Sequence, residues 1–494
     1  MDMTLSRAYE SAVGANPVYT DNISRWQFLY DSYVGGQTYR NGGYLTKYQL
    51  ESAGEYANRL ATTPLDNHCR SIIATYVSFL FRQEPERELG TLATDPTIEA
   101  FMHDCDWDGR SLDSFMKQAT IWANVFGHTW MILSKPSTGA VTRADEMAMN
   151  VRPYLNLLSP LTVTDWTWTR KINGAYELTK FKYIEDVNGD TQVIREWTKT
   201  SITTYHANTK DSTLTALTEE VNELGHIPAV VLYANTSTIR GIGLSTIEDI
   251  ADAQRFIYNM TSEAEQAVRL GSHPSLVKTE ATQAGAGAGS VIHMPEHMDP
   301  QLKPYVLEFS GQDVASIYTA IKQTIESVDK MANTGSIRAT ETAVMSGVSR
   351  EVEFQLLNAR LSEMADNIEL AEEQIWEFYA AYQGLVWDGE IEYPDSFSIR
   401  DAESDLDQLV KAQSIVTDPL ARQLIEHEVL EIVGVELEVA ESEEHPTTLP
   451  ENRQAHIQGM IMEGYEDSEI LEIHPEITRE DIIAAKTALL NQSN

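Results

Sequence analysis

A glycine-rich run is the part of this sequence whose residues and spacing come nearest to a site for chemistry. Residues 279–294 read TEATQAGAGAGSVIHM, with Gly285, Gly287 and Gly289 at alternate positions before Ser290. Glycine-rich loops bind phosphates when backbone N–H groups and a lysine meet the ligand, as in G-x-x-x-x-G-K-[ST]. This chain contains no Gly-Lys pair, and its G-x-G-x-G spacing before a strand-like run differs from the dinucleotide pattern G-x-G-x-x-G. The run therefore favours a flexible loop between two strands over a phosphate site.

An acidic loop, DCDWDG, matches the beginning of a calcium-binding loop. Asp104, Asp106, Asp108 and Gly109 occupy positions 1, 3, 5 and 6 of that pattern. Position 12 needs a bidentate glutamate, and Phe115 stands there, so the last ligand is missing. We therefore interpret the segment as a turn that leads into a helix, and we expect no metal site.

Other residue patterns that carry catalysis are missing from the sequence. It contains no H-E-x-x-H, no paired C-x-x-C and no G-x-S-x-G motif. The two cysteines, Cys69 and Cys105, lie on apolar or loop segments without a neighbouring histidine signature. Because nothing selects a catalytic set, we predict a protein without cofactor, metal or enzymatic activity.

The charge balance limits the partners that this chain can bind. Its 494 residues include 75 Asp and Glu against 36 Lys and Arg, a net charge of −39. Tight binding of a phosphate backbone needs clustered cations, so such a chain can stay near DNA without adhering to it. The excess is concentrated in residues 401–494, with 22 Asp and Glu against 5 Lys and Arg. Between Met462 and Leu490 the cations are Arg479 and Lys486, which favours protein contact over DNA reading there.

Length and hydropathy indicate a large folded protein that stays out of the membrane. A single core stops growing beyond roughly 250 to 300 residues, so several domains are expected. No stretch approaches the roughly 18 to 20 continuous apolar residues of a membrane span. The first residues, MDMTLSRAYES, lack the basic and apolar regions of a secretion signal. We therefore expect a cytosolic product with reduced thiols.

The pattern of apolar residues changes twice along the chain. Up to about residue 135 it is mainly helical, and HTWMILSKP then reads as a strand. From about 151 to 235, short apolar or alternating runs are separated by Asn-Gly pairs at 173–174 and 188–189, which are typical of hairpin turns. The sequence thus predicts a helical module followed by a β-rich one.

Three long helical patterns follow the β-rich module. The first, LSTIEDIADAQRFIYNMTSEAEQAVRLG, begins with Ser245 and Glu248 at capping-box spacing, and the second repeats the device with Ser310 and Asp313. The third runs from Val348 to Tyr382 with no Gly or Pro, which gives about 50 Å of helix. The apolar line of the third helix is predicted at Val348, Val352, Leu356, Met364, Ile368, Ala371, Ile375 and Phe378.

This order of elements, together with local sequence, resembles the portal protein of tailed bacteriophages. The stretch YLTKYQLESAGEYANRLATTPLDNHCRSIIATYVSFLFRQEP resembles the N-terminal helices of that family, and WDGRSLDSFMKQATIWANVFGHTWMILSKP resembles the helix and strand that follow. RPYLNLLSPLTVTDWTW and ELGHIPAVVLYAN are similar to its β-rich wing. The resemblance covers roughly residues 25–385, and it is weaker in the tail.

The resemblance implies an α+β, mainly helical, portal-like fold with a defined domain order. An α/β wing, two stem helices around a small clip, a channel loop, a long crossing helix and a helical crown would follow one another. The implied boundaries are wing 1–235 (β-rich from about 151), first stem helix 236–271, clip 272–308, second stem helix 309–333, channel loop 334–347, long helix and wing return 348–394, and acidic helical crown 395–494.

The resemblance also implies a non-enzymatic structural role in the virion. The chain would be one subunit of a homo-oligomeric ring, usually of twelve copies, at one capsid vertex, assembled in the host cytoplasm. Double-stranded DNA would pass through it without sequence-specific binding during packaging and ejection. Its partners would be the terminase large subunit, neck or adaptor proteins, and capsid and scaffold proteins, with no membrane involved.

Two groups of residues are candidates for contact in such a ring. The glycines of the clip would fit against a neighbour or partner, and side chains of the channel loop and the second stem helix would lie near DNA. A uniformly acidic wall offers a polyanion few places to adhere, so the few cations there are the guiding candidates. The candidates are Gly285, Gly287 and Gly289 in the clip, Ser336, Arg338, Thr340 and Glu341 in the loop, and Lys322 and Lys330 on the stem.

Two other functions stay open at this point. The chain can be another oligomeric virion component, such as a neck, adaptor or scaffold protein, since long helices serve those roles as well. It can also be an acidic nucleotide-handling enzyme that uses the glycine-rich run, although no residue beyond that run supports the enzyme.

We predict that the purified chain hydrolyses ATP no faster than the buffer does, because the sequence provides no lysine to bind the phosphates. Release of inorganic phosphate from ATP and Mg²⁺ measures this. A hydrolysis rate that Gly287→Ala abolishes would support the enzyme instead.

Overall fold

The computed structural model describes residues 3–136, 143–272, 275–278, 297, 299, 305–307, 312–335, 347–394, 397 and 460. The chain divides into two units, Met1–Ser398 and Ile399–Asn494, and all elements described below belong to the first. The predictions for the glycine-rich run, for the loop at 336–346 and for the crown lie outside the described residues.

The described part of the first unit combines helices with antiparallel strands. Its helices are α1 (Met3–Val13), α2 (Pro17–Val34), α3 (Gly36–Asn41), α4 (Ala53–Thr62), α5 (His68–Leu80), α6 (Ile98–His103), α7 (Leu112–Phe126), α8 (Arg143–Ala148), α9 (Glu248–Ser272), α10 (Gln312–Met331) and α11 (Gly347–Tyr382). Its strands are β1 (Glu86–Glu88), β2 (His128–Ser134), β3 (Tyr154–Leu158), β4 (Val163–Arg170), β5 (Tyr176–Asn188), β6 (Thr191–Thr198), β7 (Ser201–Asn208), β8 (Thr213–Val221), β9 (Ala229–Tyr233), β10 (Ser275–Val277), β11 (Tyr305–Leu307) and β12 (Glu390–Glu392).

Local sequence explains where several of these helices begin and end. At the start of α2, the Asn16 side chain accepts a hydrogen bond from Val18 N, and Pro17 occupies the first turn, where no backbone donor is needed. Helix α4 has a complete capping box between Ser52 and Glu55. Helix α7 ends at Gly127, whose φ of 91° is a left-handed conformation that glycine adopts without strain.

The strands form two main antiparallel sheets. The smaller has the order β3-β2-β9, and all seven residues of β2 are buried. The larger is a five-stranded meander, β4-β5-β6-β7-β8, whose first two hairpins turn at the predicted Asn-Gly pairs. The prediction of a helical module followed by a β-rich one is confirmed, and the architecture is α+β. Strand β8 was not predicted.

A buried ion pair holds the middle of α11 in the core. The Glu372 carboxylate is fully buried and lies 2.5 Å from Arg87 Nε, while Trp376 Nε1 donates to it at 3.2 Å. The Tyr393 hydroxyl donates to the other carboxylate oxygen, and Asp113 Oδ1 forms an ion pair with Arg87 Nη2 at 2.7 Å. Burial alone would lower the pKa of the Arg87 guanidinium, but the hydrogen bond and charge of Glu372 raise it above its ordinary value. The Arg87 guanidinium therefore remains charged at neutral pH.

The long helix agrees with its prediction in length and, at Met364, Ile368, Ala371 and Ile375, in its buried face. Helix α11 has 36 residues, about 54 Å at 1.5 Å per residue, and begins one residue before the predicted Val348. Leu356 was predicted to be on the apolar line, but it is 55% exposed, and Leu357 and Leu361 are buried in its place. Buried residues from Leu357 to Met364 follow i+4 and i+3 steps, which keep one helical face toward the core.

The predicted capping box of the first long helix is wrong. Helix α9 begins at Glu248, and Ser245 lies before it with its Oγ accepting from Ile247 N at 3.2 Å and donating to Val125 O at 2.7 Å. The Glu248 carboxylate bonds Arg25 at 2.6 Å instead of the helix backbone. Tertiary contacts with α7 and α2 therefore take both partners of the expected local motif.

We predict that Glu372→Ala lowers the free energy of unfolding by about 3 to 5 kcal/mol, since it removes the buried carboxylate of Arg87 and leaves this arginine paired with the half-exposed Asp113. Urea denaturation followed by tryptophan fluorescence measures the loss. Glu377→Ala, on an exposed position of the same helix, is the control and should change stability by less than about 0.5 kcal/mol. Equal losses for the two variants would contradict the prediction.

Candidate assembly site

Helices α9 and α10 lie side by side as an antiparallel pair, called the helix pair below. Strands β10 and β11 follow the end of α9 and precede the start of α10, and they pair antiparallel from Ser275↔Leu307 to Val277↔Tyr305. This pairing brings the far ends of the two helices together. Inside the pair, Ala264, Ile321 and Val328 are buried. The two predicted long helices and a strand at the predicted SLVKT are thus present in the described residues. The strand that pairs with it is Tyr305–Leu307, and the second predicted strand, at residues 290–294, lies outside the described residues.

The first half of α9 is fixed in the body of the first unit by a buried amide. Gln254 is fully buried, and its Oε1 accepts from Cys69 N on α5 at 3.0 Å. Its Nε2 donates to Ser32 O on α2 at 3.0 Å. One side chain therefore joins three helices and satisfies two backbone groups that burial would otherwise leave unpaired.

A buried arginine clamps the middle of α9. Arg59 on α4 donates from Nη1 to Ser262 Oγ at 3.0 Å and from Nε to Glu51 Oε1 at 2.9 Å. Its guanidinium lies 4.0 Å from the centroid of the Tyr48 ring, and its side chain is 2% exposed. The hydrogen bond from Arg59 is the main cause that lowers the pKa of the Glu51 carboxyl. The contacts of Arg59 therefore fix the point along α9 at which this helix extends beyond the rest of the first unit.

The end of α10 returns to the body close to α5. The Tyr76 hydroxyl donates to Ala332 O, and the Arg360 guanidinium of α11 lies 5.2 Å from the Tyr76 ring centroid. Val328, Ala332 and Thr334 are fully buried there. Both helices of the pair are therefore anchored where they meet the body. From the end of α10 the chain continues to α11.

Large apolar side chains are exposed on the helix pair. Val268 on α9 is 45% exposed and Tyr318 on α10 is 54% exposed, and Phe256 and Met331 are comparably exposed. Two packed helices bury one stripe of each and leave the other sides open, so clustered apolar residues on those sides are typical of a surface for another protein. We treat this surface as the candidate assembly site.

The residues predicted to be near DNA fall partly on the described helices. Lys322 and Lys330 are both exposed on α10, eight residues apart, which is about 12 Å along the helix axis. Ser336, Arg338, Thr340 and Glu341 lie outside the described residues, as do the clip glycines Gly285, Gly287 and Gly289. The structure therefore brings the two lysines onto one helix and does not test the others.

The buried side chain of His128 positions the loop that leads into α9. His128 is fully buried, and its Nδ1 accepts from Gly243 N at 3.3 Å, which assigns the proton to Nε2. A Cβ on Gly243 would lie 2.0 Å from Gly127 O, so the two backbones approach at a distance that requires glycine. Burial lowers the pKa of His128 to about 3. The imidazole is therefore neutral in the folded protein at neutral pH.

The acidic loop DCDWDG, which includes the buried Cys105, has a structural role in the fold. In the acidic loop, Asp104 Oδ1 accepts from Gly109 N at 3.0 Å, and Asp106 Oδ1 accepts from Asp108 N at 3.0 Å. The turn leads into α7, so its interpretation is confirmed. Burial raises the pKa of the Cys105 thiol to about 12, which leaves little thiolate at neutral pH.

In the part of the chain that the structure describes, no group of three or more His, Cys, Asp or Glu side chains is arranged to hold a metal ion. No helix within the described ranges is both long and apolar enough to span a membrane.

Sequence reasoning missed the side chains that anchor the helix pair. Gln254 and Arg59 are polar residues in amphipathic patterns, where they read as solvent-facing. The sequence gives only a weak indication that Arg59 is buried: it follows its partner Glu51 by eight residues and lies in a segment with Tyr56 and other apolar residues. Their partners are distant in sequence, so spacing alone does not identify them.

Comparisons with known proteins gave matches to solved structures alone. No family model matches the chain, and no curated protein does. A chain from the virion of a native gene transfer agent particle is 10% identical with a TM-score of 0.44, and the match covers 72% of this chain and 89% of that one. A chain from the neck of an empty particle, computed with C6 symmetry, is 10% identical with a TM-score of 0.44 over 80% and 99% of the two chains. A chain from the neck of a native particle, computed with C12 symmetry, is 10% identical with a TM-score of 0.45 over 86% and 99%.

We predict that stability falls as the pH drops below about 6.5, with His128 contributing up to about 1.4 kcal/mol per pH unit. The unfolded chain binds a proton at this residue below pH 6.5, whereas the folded chain binds it near pH 3, so protonation favours unfolding between these values. His128→Asn keeps an acceptor for Gly243 N and removes this dependence. Unfolding free energies at pH 8, 6 and 5 measure it, with pH 8 giving the packing cost. Parallel curves for the two proteins would contradict the prediction.

Proposed function

We propose that the chain is the portal subunit of a tailed bacteriophage or a phage-like particle. In this proposal, copies of the chain form a ring at one vertex of the capsid. The ring is the docking platform for the packaging motor, the channel for DNA, and the attachment point for neck proteins. The observation that carries the proposal is the helix pair, anchored at one end and apolar on its open sides, followed by the 36-residue helix α11.

The anchoring of the helix pair supports a load-bearing role. Gln254 and Arg59 fix α9 to three other helical segments, and the buried Glu372 fixes α11. These contacts lie on the body side, while the far end of the pair carries a short strand pair. A rod held firmly at one end and open along its sides is suited to packing against identical rods around an axis.

The exposed apolar side chains support assembly of identical copies. Val268 and Tyr318 are each about half exposed among the described residues. A repeated head-to-tail contact between identical subunits closes into a ring when the rotation closes. In such a ring the pair of one copy covers the open sides of its neighbour, which buries these residues.

The charge of the chain supports passage of DNA without capture. Each copy carries a net charge of −39, and DNA is a polyanion with no high-affinity partner in such a wall. In this proposal residues 236–271 and 309–333 are the stem, 272–308 the clip, 334–347 the channel loop, 348–394 the crossing helix and wing return, and 395–494 the crown. Lys322 and Lys330 then supply weak guidance from the stem.

We predict that the full chain assembles, and that Val268→Glu or Tyr318→Glu raises the concentration at which assemblies dissociate at least tenfold, because each buries an unpaired charge. Size-exclusion chromatography with light scattering measures the assembled mass, which should be near twelve times the chain's mass. The matched control is Val386→Glu, at an exposed position after α11. A wild-type chain that remains monomeric would contradict the proposal.

A further inference from the structure

A basic and apolar patch lies at one end of the five-stranded sheet. It is formed by the turn between β4 and β5 and by the loop after β9, and we call it the hairpin patch. Ile172 is fully exposed at the turn, and Tyr176 and Ile239 are about half exposed beside it. The cations of the patch are Arg170, Lys171 and Arg240, of which Lys171 pairs with Glu177 at 3.1 Å, in a chain whose acidic residues outnumber its basic residues by about two to one.

An open cavity of about 400 Å³ forms the centre of the hairpin patch. The Arg240 guanidinium lies 4.3 Å from the Tyr176 ring centroid and 5.5 Å from the Trp168 ring centroid. Within the described residues Arg240 has no carboxylate partner, and the buried indole Nε1 of Trp168 has no hydrogen-bond acceptor. An arginine stacked on aromatic rings keeps its N–H edge available, and that edge binds carboxylates in a bidentate manner. The cavity is therefore suited to an acidic side chain with apolar neighbours.

The opposite edge of the same sheet carries the complementary chemistry. Strand β8 is exposed along nearly its whole length, and its residues near the end are Leu217, Glu219, Glu220 and Val221. Leu217 is 53% exposed and Val221 is 76% exposed. We call these four residues the edge patch. An exposed edge strand with unpaired backbone groups is a surface that natural proteins cover or use.

The register of the sheet places the two patches on opposite edges and staggers them along the strands. Arg170 of β4 pairs with Tyr176 of β5 at the hairpin patch. Thr198, the last residue of β6, pairs with Lys180, four residues further along β5. Ser201 of β7 pairs with Val221 of β8, so the edge patch begins about 13 Å along the strands from the hairpin patch. The patches are four strands apart, about 19 Å, so they cannot meet within one rigid sheet.

We propose that the edge patch of one copy docks on the hairpin patch of the next copy in the ring, with a Glu219 or Glu220 carboxylate meeting Arg240. This inference rests on the proposed function and adds a specific contact between neighbours. A head-to-tail ring needs two different surfaces on each copy. Two chemically complementary patches on opposite edges of one sheet meet this requirement.

A charge exchange tests the contact. Arg240→Glu alone, and Glu219→Arg with Glu220→Arg together, should each raise the dissociation concentration of the assembly at least tenfold. The triple variant restores opposite charges and should return it to within about threefold of the wild-type value. The matched control is Lys210→Glu, at the far end of the same sheet between β7 and β8, which should leave assembly unchanged. Circular dichroism melts verify folding, and Arg240→Gln, which removes the charge without reversing it, replaces any unfolded variant.

The outcomes separate this inference from the proposed function. Wild-type chain that forms no assembly overturns both. Wild-type assemblies that Arg240→Glu leaves as stable as before overturn the contact alone. Loss in both charge-reversed variants without rescue in the triple variant also overturns it, because complementary charges are then not the cause.

Discussion

The position of the long helix α11 in the core depends on a single buried carboxylate. Glu372 lies in the middle of 36 helical residues and accepts hydrogen bonds from Arg87, Trp376 and Tyr393. A buried ion pair contributes little to stability compared with apolar packing, but it is costly to break, because one charge is then left unpaired. It therefore fixes the axial position of α11, since sliding by one turn would separate the carboxylate from the arginine. The ribbon of β1 and β12 supplies Arg87 and ends beside Tyr393.

The same principle anchors the helix pair. Gln254 and Arg59 each satisfy several buried polar groups from different segments, so the orientation of α9 is determined by directional bonds as well as by packing. Outside the body, the two helices pack against each other and, among the residues that the structure describes, leave apolar side chains exposed. Rigid anchoring and an open surface are the combination that a ring subunit needs, since geometric errors at the anchor would prevent closure.

Much of this fold follows from local patterns, and the exceptions have physical causes. The Asn-Gly turns identified two hairpins, and a run without Gly or Pro gave α11 within one residue of its start. Strand β8 was not predicted, because its residues are exposed on both faces and lack the alternation of apolar and polar side chains that is typical of a half-buried strand. Glu372, in the run AEEQIW, has the sequence of an exposed position, and its burial depends on Arg87, 285 residues away. Tertiary partners of this kind decide the anchors of the candidate site, and local spacing does not reveal them.

Electron microscopy of the purified full chain tests the central claim most directly, which is that copies of this chain surround a channel. The account predicts rings with a central hole, with the helix pairs packed around the axis and the acidic chains forming its wall. Monodisperse monomers, or filaments and plugs without a hole, would contradict it.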